Sequence, residues 1–155
     1  MSESIITFTS PSGWYGLRAA EILEVAELGR VRPVPRAPGI IAGLAEVHGR
    51  VVTLIDLDRL LAADANPESP TRFGVVLAPP RDHLGILVRS EIDVAPGGDG
   101  DPLAGPSETG GLLQARLPVG ERLLNLLCLP ALVTRVEEAI RAAFRPGPGD
   151  PGVEA

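Results

Sequence analysis

The chain has 155 residues, a formal net charge of -6 at pH 7 and a pI near 4.9, and its length suits one compact domain or two very small units that share a core. The excess of acidic residues argues against binding to nucleic acid or to an anionic membrane through a general positive field. A single cysteine, Cys128, excludes an intramolecular disulfide framework and any site that needs several thiolates.

Short runs rich in Val, Ile and Leu, separated by turn residues, predict a mainly β fold. Since only five aromatic residues are present, we expect a core of aliphatic side chains. Many short strands spaced by turns favour a small barrel or sandwich over a parallel α/β sheet. The predicted strands are Ile5–Thr9, Trp14–Arg18, Ile41–Val47, Val51–Ile55, Gly74–Leu77, His83–Val88, Leu112–Leu117 and Leu123–Leu127.

Two helices are predicted from local signals. The first is short, Leu57–Ala62, and follows Asp56, whose carboxylate can accept hydrogen bonds from the free N–H groups of the first turn. The second begins near Pro130, a residue suited to a first helical turn. The apolar face of this second helix consists of Leu132, Val133, Val136, Ile140 and Phe144.

Three segments rich in proline and glycine interrupt these elements: 33–39, 96–111 and 145–155. The middle segment is expected to be a long loop. The last has no apolar periodicity, so residues 146–155 are expected to form a disordered tail.

An internal repeat is indicated by two pairs of similar segments. Gly16-Leu17 followed by Leu23-Glu24-Val25 is echoed by Gly85-Ile86 followed by Ile92-Asp93-Val94. Val51–Leu57 is echoed, in the same order, by Leu123–Leu129. Because apolar residues match easily by chance, the pattern alone leaves open whether the chain contains two similar β units.

The chain is predicted to be cytoplasmic. No charged and then apolar leader opens the sequence. The most apolar run, Leu123–Val133, contains Asn125 and Pro130 and is shorter than the roughly 20 residues of a membrane-spanning helix. A lone cysteine agrees with a reducing compartment.

The stretch from Trp14 to Leu61 contains WYGL, then ILEV, then VPRAPGIIAGLAEVHGRVVTLIDLDRLL. It resembles the first half of the CheW-like domain, in which a glycine-containing strand precedes an E-I or E-V step, P-x-x-P, G-x-x-x-x-R-G and a P-x-x-D-L ending. HLGILVRSEIDV and VGERLLNLLCLPALV resemble its second half.

This resemblance implies two intertwined SH3-like five-stranded β-barrels within a single domain, residues 1–145, with the boundary between the two β subdomains near 62–72. It also implies an adaptor without catalytic activity. Such a protein couples the regulatory domain of a CheA-type histidine kinase to the cytoplasmic tips of chemoreceptors, within receptor arrays at the inner membrane.

The same resemblance places partner-contact positions at Ile22, Glu24, Gly43, His48 and Gly49. A glycine permits a positive φ and a close backbone approach by a partner. The alternative that both glycines only make turns stays open. Ile22 is, by residue type, more often a core residue than an interface residue.

His48 is the most consequential departure from the family pattern, which usually has arginine there. Histidine is shorter and lacks the permanent charge and planar fork of arginine, so a bidentate contact to a carboxylate would be lost. Arg50 could supply a charge but would point to the opposite face of a strand.

Other departures are Thr53 in place of a frequent proline and Arg89 in place of a common aspartate. Asn125 interrupts an apolar strand, so its amide is expected either to face solvent or to make a polar contact between the two barrels. Cys128 is interpreted as a small buried hydrophobic residue rather than a reactive thiol.

An enzymatic interpretation would start from the histidines and nearby acids: His48, His83, Asp56 and Glu24. The sequence has no G-x-S-x-G elbow, H-E-x-x-H helix, Walker loop or strand-linked G-x-G-x-x-G. We therefore expect no catalysis, cofactor or metal. The alternative function is a divergent barrel with a small-molecule-binding or enzymatic role outside chemotaxis.

Overall fold

The computed structural model describes residues 4–63, 71–97 and 111–143, and the backbone of the two-residue strand at 101–102. The strands are β1 Ser4–Ser10, β2 Gly13–Arg18, β3 Ile22–Glu27, β4 Ile41–Val47, β5 Arg50–Asp56, β6 Phe73–Leu77, β7 Leu84–Val88, β8 Asp93–Pro96, β9 Asp101–Pro102, β10 Leu113–Val119 and β11 Arg122–Leu127. The helices are α1 Leu57–Leu60 and α2 Leu129–Ala143, and a 3₁₀ turn, Ala19–Glu21, links β2 to β3.

The strands form two sheets. In the first sheet the order is β8-β1-β2-β11-β10-β9, and in the second it is β3-β6-β7-β5-β4. The first sheet therefore combines the first two strands of the chain with the last four, whereas the second holds the five between them. This confirms the predicted pair of intertwined β units. The first sheet contains one strand more than expected, the short β9.

Both ends of each predicted strand lie within two residues of the ends of an observed strand, and the predicted bounds of Ile41–Val47 are those of β4. The strands β3, β8 and β9 were not among those predicted from runs of apolar residues. Glu24 and Glu27 lower the hydrophobicity of β3, and Asp93 and Pro96 that of β8.

The sheet topology supports the internal repeat. Read across the sheets, β3-β6-β7-β5-β4 corresponds strand by strand to β8-β1-β2-β11-β10. Each sheet has a parallel pair at the same place. There Leu54 of β5 lies opposite Gly85 of β7, and Leu126 of β11 lies opposite Gly16 of β2. These are the residues that the two sequence repeats align. Each sheet therefore takes a hairpin from one repeat and its remaining strands from the other, three in the second sheet and four in the first, where β9 is the additional strand.

The largest core cluster contains buried side chains from both sheets and both helices, among them Phe8, Leu17, Ile55, Ile86 and Leu132. Two smaller clusters each draw on one sheet: one includes Val52 and Leu54, the other Ile5 and Leu124. Each fully buried aliphatic side chain contributes about 1.5–3 kcal/mol. The two sheets thus have small cores of their own and share a larger one.

The long helix α2 begins at Leu129, one residue before the predicted start. Leu132 and Val136 are buried, and Val133 and Ile140 pack against the shared core, which confirms the predicted apolar face over the described residues. Phe144 lies outside them.

The short helix α1 ends at Leu60, two residues earlier than predicted. Asp56 accepts a hydrogen bond from the backbone N–H of Arg59 at 3.4 Å, so its predicted role as a cap is confirmed. Ala62 has a φ of 57°, a left-handed conformation that cannot continue a helix.

Residues 64–70 and 144–155 lie outside the described part of the chain. The predicted subdomain boundary near 62–72 and the predicted tail at 146–155 therefore stay predictions. In the described residues, no helix is both long and apolar enough to cross a membrane.

Candidate functional site

His48 and Gly49 form the tight turn between β4 and β5. Val47 and Arg50 are paired across this hairpin, so His48 and Gly49 are its two loop residues, with φ angles of 49° and 81°. Two positive φ angles in a two-residue loop define the type I′ turn that matches the twist of a hairpin. Glycine suits such a conformation, and histidine is among the non-glycine residues enriched in it. The local backbone thus explains why these two residue types stand here.

Glu24 lies on β3 and contacts the turn. Its carboxylate forms a hydrogen bond with Nδ1 of His48. Strand β3 is at one end of the second sheet and β4 is at the other, so a contact from β3 to the β4–β5 turn requires the sheet to curl toward closure. The His48 side chain is 76% exposed and that of Glu24 is 26% exposed. The structure therefore brings together Glu24, His48 and Gly49, and we call these three residues the Glu24–His48 surface.

Ile22 lies near the start of the same strand but points largely inward. It is half-buried, pairs with Leu77 of β6 and packs against the shared core. A register shift between Ile22 and Glu24 leaves the intervening Leu23 with 41% of its surface exposed. Of these two aliphatic residues, Leu23 has the greater surface available to a partner.

Gly43 is not part of the turn. It lies in β4 at a register shift and has a φ of 148°. A Cβ atom at this position would lie 2.2 Å from the carbonyl oxygen of Arg32, a residue that forms an antiparallel bridge with Leu44. The close backbone approach at Gly43 is therefore made by the chain's own segment.

Val51 adds an exposed aliphatic side chain two residues after Gly49. It is 65% exposed although it lies in a strand of otherwise buried and half-buried residues. Reasoning from the sequence missed both Val51 and Leu23. The sequence has no signal that marks Val51, because its neighbour Val52 is also valine, and only the structure shows that Val52 is the buried one of the two.

Arg50 is engaged elsewhere. Its guanidinium forms an ion pair with Asp82 in the turn before β7. Arg50 is therefore not positioned to replace the arginine that the family pattern has at position 48.

A buried ion cluster lies at the other end of β5. Both Nη atoms of Arg89 donate to the carboxylate of Asp56 at 2.8 Å, and Nη1 also donates to Asp58 at 3.1 Å. The Asp56 and Asp58 residues are 2% and 4% exposed. The hydrogen bond to Asp56 raises the pKa of Arg89 above its ordinary value, although burial opposes this. Arg89 therefore stays a cation that compensates two buried acids.

This cluster could not be read from the sequence. Arg89 is more than 30 positions from both acids, so no local spacing signals it. The sequence marked Asp56 as a cap and Arg89 as a departure, and the fold shows that the two residues are partners.

Asn125 is half-buried, and its amide donates to the carbonyl oxygen of Trp14 at 3.0 Å. Both residues belong to the first sheet, where β11 runs parallel to β2. The polar contact therefore lies within one sheet. The alternative of a polar contact between the two barrels, which the sequence left open, is wrong. The equivalent position in the other repeat is Thr53, opposite Leu84.

The remaining candidates for catalysis do not form a cluster with Glu24 and His48. His83 is exposed and its backbone carbonyl accepts a hydrogen bond from the N–H of Thr53. Across the described ranges, no group of three or more His, Cys, Asp or Glu side chains has a geometry suited to a metal ion. Cys128 is half-buried.

Comparison with known proteins gives a consistent result. The family model described as the CheW-like domain matches residues 4–137. A similar solved structure is the crystal structure of scaffolding protein TtCheW from Thermoanaerobacter tengcongensis, with a TM-score of 0.75 and 19% identity, covering 85% of this chain and 92% of that chain. At this identity the likeness shows the fold alone. No curated protein matches the sequence.

Proposed function

The chain belongs to the CheW-like domain family, and from this we propose that it is an adaptor that couples a CheA-type histidine kinase to the cytoplasmic tips of chemoreceptors. The family match over residues 4–137 is the observation that carries the proposal. Members of this family are scaffolds that are typically not enzymes. In this role the protein would be cytoplasmic and would reach the inner membrane only through the receptors.

We place one partner contact at the Glu24–His48 surface. Two exposed aliphatic side chains flank it: Leu23 precedes Glu24 on β3, and Val51 follows the His48–Gly49 turn by two residues on β5. Interfaces combine an apolar contact with charged groups at its edge, and the charges act mainly on specificity and association rate. The type I′ turn holds His48 and Gly49 in one conformation, which lowers the entropy lost on binding.

In the free protein, the imidazole of His48 is hydrogen-bonded to the carboxylate of Glu24. A partner cation that pairs with Glu24 must therefore compete with, or join, the imidazole. An arginine at this position would contribute a permanent charge to the same place. We propose that the histidine tunes the affinity of this surface for its partner.

Co-purification tests the adaptor function. The full chain is mixed with the regulatory domain of the CheA-type kinase and with the receptor tip encoded near its gene, and association is measured by size-exclusion chromatography and titration calorimetry. We expect binding to both. If neither partner associates, the adaptor proposal is wrong and the small-molecule or enzymatic alternative gains support.

The substitution Glu24→Arg tests the surface. We expect it to weaken binding of one partner by about tenfold or more, because a charge at an interface is reversed. Glu27→Arg is the matched control, since Glu27 is exposed on the same strand and the change in net charge is identical. Circular dichroism must show that both variants stay folded. Equal binding by the two variants would remove Glu24 from the interface.

A further inference from the structure

A groove of about 470 Å³ lies beside α1, between the segment from Val31 to Ala42 and the ends of β5 and β7. Its charged lining consists of three arginines and one aspartate: Arg59, Arg72, Arg89 and Asp56. Apolar side chains, including Ile41 and Leu87, complete the wall. We call this feature the arginine groove. None of the residues of the Glu24–His48 surface lines it.

The aspartate in the lining offers little to an incoming cation. Both oxygens of Asp56 accept hydrogen bonds from Arg89 at 2.8 Å, and Oδ1 also accepts one from the N–H of Arg59. The carboxylate is 3% exposed. The carboxylate of Asp56 is therefore engaged within the protein, by Arg89, which it shares with Asp58, and by Arg59.

The positive charges of Arg59 and Arg72 are only weakly compensated by acidic groups of the protein. The Arg59 side chain is 56% exposed, and its Nε lies 3.7 Å from Asp56, a loose contact. Arg72 donates to the carbonyl oxygen of Gly29 at 3.1 Å, and a neutral acceptor does not cancel its charge. Even when Asp58, which shares Arg89 with Asp56, is counted, the three arginines outnumber the two aspartates by one. On a chain with a net charge of -6, this groove is a local positive region.

Arg89 contributes to the wall of the groove but offers little charge to a ligand, because its guanidinium is bonded to Asp56 and Asp58.

We propose that the arginine groove binds an acidic segment of a partner protein, with its carboxylates on Arg59 and Arg72 and a neighbouring aliphatic side chain against the apolar wall. Guanidinium groups match carboxylates in geometry and charge. A free inorganic anion would gain nothing from Ile41, whereas a peptide presents an acid and an apolar side chain together. The proposal does not depend on the kinase and receptor contacts proposed above.

A fluorescently labelled, capped peptide of alternating glutamate and leucine is the probe, and fluorescence anisotropy with the full chain is the measurement. We expect saturable binding that weakens as salt is raised, and much weaker binding of the same peptide with glutamine in place of glutamate. Arg59→Gln and Arg72→Gln should each weaken binding by about tenfold. Arg141→Gln is the control: it removes the same charge at an exposed position of α2 that does not line the groove. It should change the dissociation constant by less than about twofold.

Several outcomes would overturn the proposal. One is equal weakening by Arg59→Gln and Arg141→Gln, which would mean attraction by overall charge. Another is equal binding of the glutamate and glutamine peptides. A third is no peptide binding by a protein that binds inorganic phosphate, with the phosphate affinity lowered by Arg59→Gln, which would assign the groove to a small anion. Circular dichroism and thermal melts of each variant separate loss of binding from loss of fold.

Discussion

Arg89, Asp56 and Asp58 form a buried ion cluster that joins the end of β7 to the start of α1. Taking such charges out of water is costly, and their mutual attraction offsets the cost only while all partners are present. The cluster is therefore weak evidence for net stability. It is strong evidence that removal of one member will be harmful, because the others remain buried and charged.

The first prediction concerns Arg89→Met. Methionine keeps the aliphatic part of the side chain and removes the cation, so two acids that are 2% and 4% exposed lose their partner. We expect the free energy of unfolding to fall by about 3–5 kcal/mol, measured by urea denaturation.

Arg141→Met on the exposed end of α2 is the control and should change stability by less than about 0.5 kcal/mol. Adding Asp58→Asn to Arg89→Met should restore part of the loss. Equal stability of the Arg89 and Arg141 variants would show that the cluster is not formed.

The second prediction separates the two glycines of the candidate site. Gly49→Ala meets no atom within 4 Å and is disfavoured only by its φ of 81°, so we expect a loss of roughly 1–2 kcal/mol. Gly43→Ala would bring Cβ within 2.2 Å of the Arg32 carbonyl oxygen, so the bridge to Leu44 must open. We expect a loss of at least about 2 kcal/mol there.

Denaturation curves of both alanine variants check this order of stabilities, and the reverse order would contradict the geometry. Since Gly49→Ala should stay folded, it is the variant to use for partner binding. Gly43→Ala would confuse loss of binding with loss of structure.

At the scale of elements, apolar runs and turn residues were enough to predict eight of the strands. Strand β3 was missed because its apolar residues are half-buried and interrupted by glutamates, and a register shift breaks its alternation. The pairing of β5 with β7 and of β11 with β2 could not be predicted, because the partners are far apart in sequence and nothing local encodes a parallel register. The same holds for the candidate site: the family resemblance indicated Glu24 and His48 separately, and only the curled sheet brings them into contact.

The third prediction concerns the two equivalent glycines at the parallel pairs. A Cβ on Gly16 would lie 2.6 Å from Ile5 Cγ2, and a Cβ on Gly85 would lie 2.9 Å from Val52 Cγ1. Both neighbours are buried side chains with little room to move, so Gly16→Ala and Gly85→Ala should each lower stability by about 1–3 kcal/mol. Gly29→Ala is the control, because no atom lies within 4 Å of its added Cβ, and it should be within about 1 kcal/mol of the parent. If thermal denaturation shows that only one of the two sites is sensitive, the structural equivalence of the repeats fails at this point.

At the scale of the whole molecule, the interchange of strands between the repeats makes the two sheets depend on each other. The first sheet requires strands from both the N-terminal and the C-terminal part of the chain, because β2 pairs with β11 and β1 pairs with β8. The second sheet lies wholly within the central part of the chain, but its shared core includes Leu132 and Val136 of α2. We therefore expect one cooperative unfolding transition rather than two.

The fourth prediction follows from dividing the chain between residues 66 and 67. The first fragment contains β1 to β5 but lacks β6 and β7, which separate β3 from β5 in the second sheet. The second fragment lacks the hairpin β1–β2, which separates β8 from β11 in the first sheet.

Each fragment alone would expose the unpaired edges and the apolar faces that its missing strands cover, so we expect circular dichroism to show that both fragments are unfolded. When mixed, they should reassemble and place the guanidinium of Arg122 over the ring of the single tryptophan, the half-buried Trp14, with a change in its fluorescence. The order of mixing should not matter, and the uncut protein is the reference for the recovered signal. A cooperative melt from either fragment alone would mean that one sheet is complete within one repeat, which the strand order of both sheets forbids.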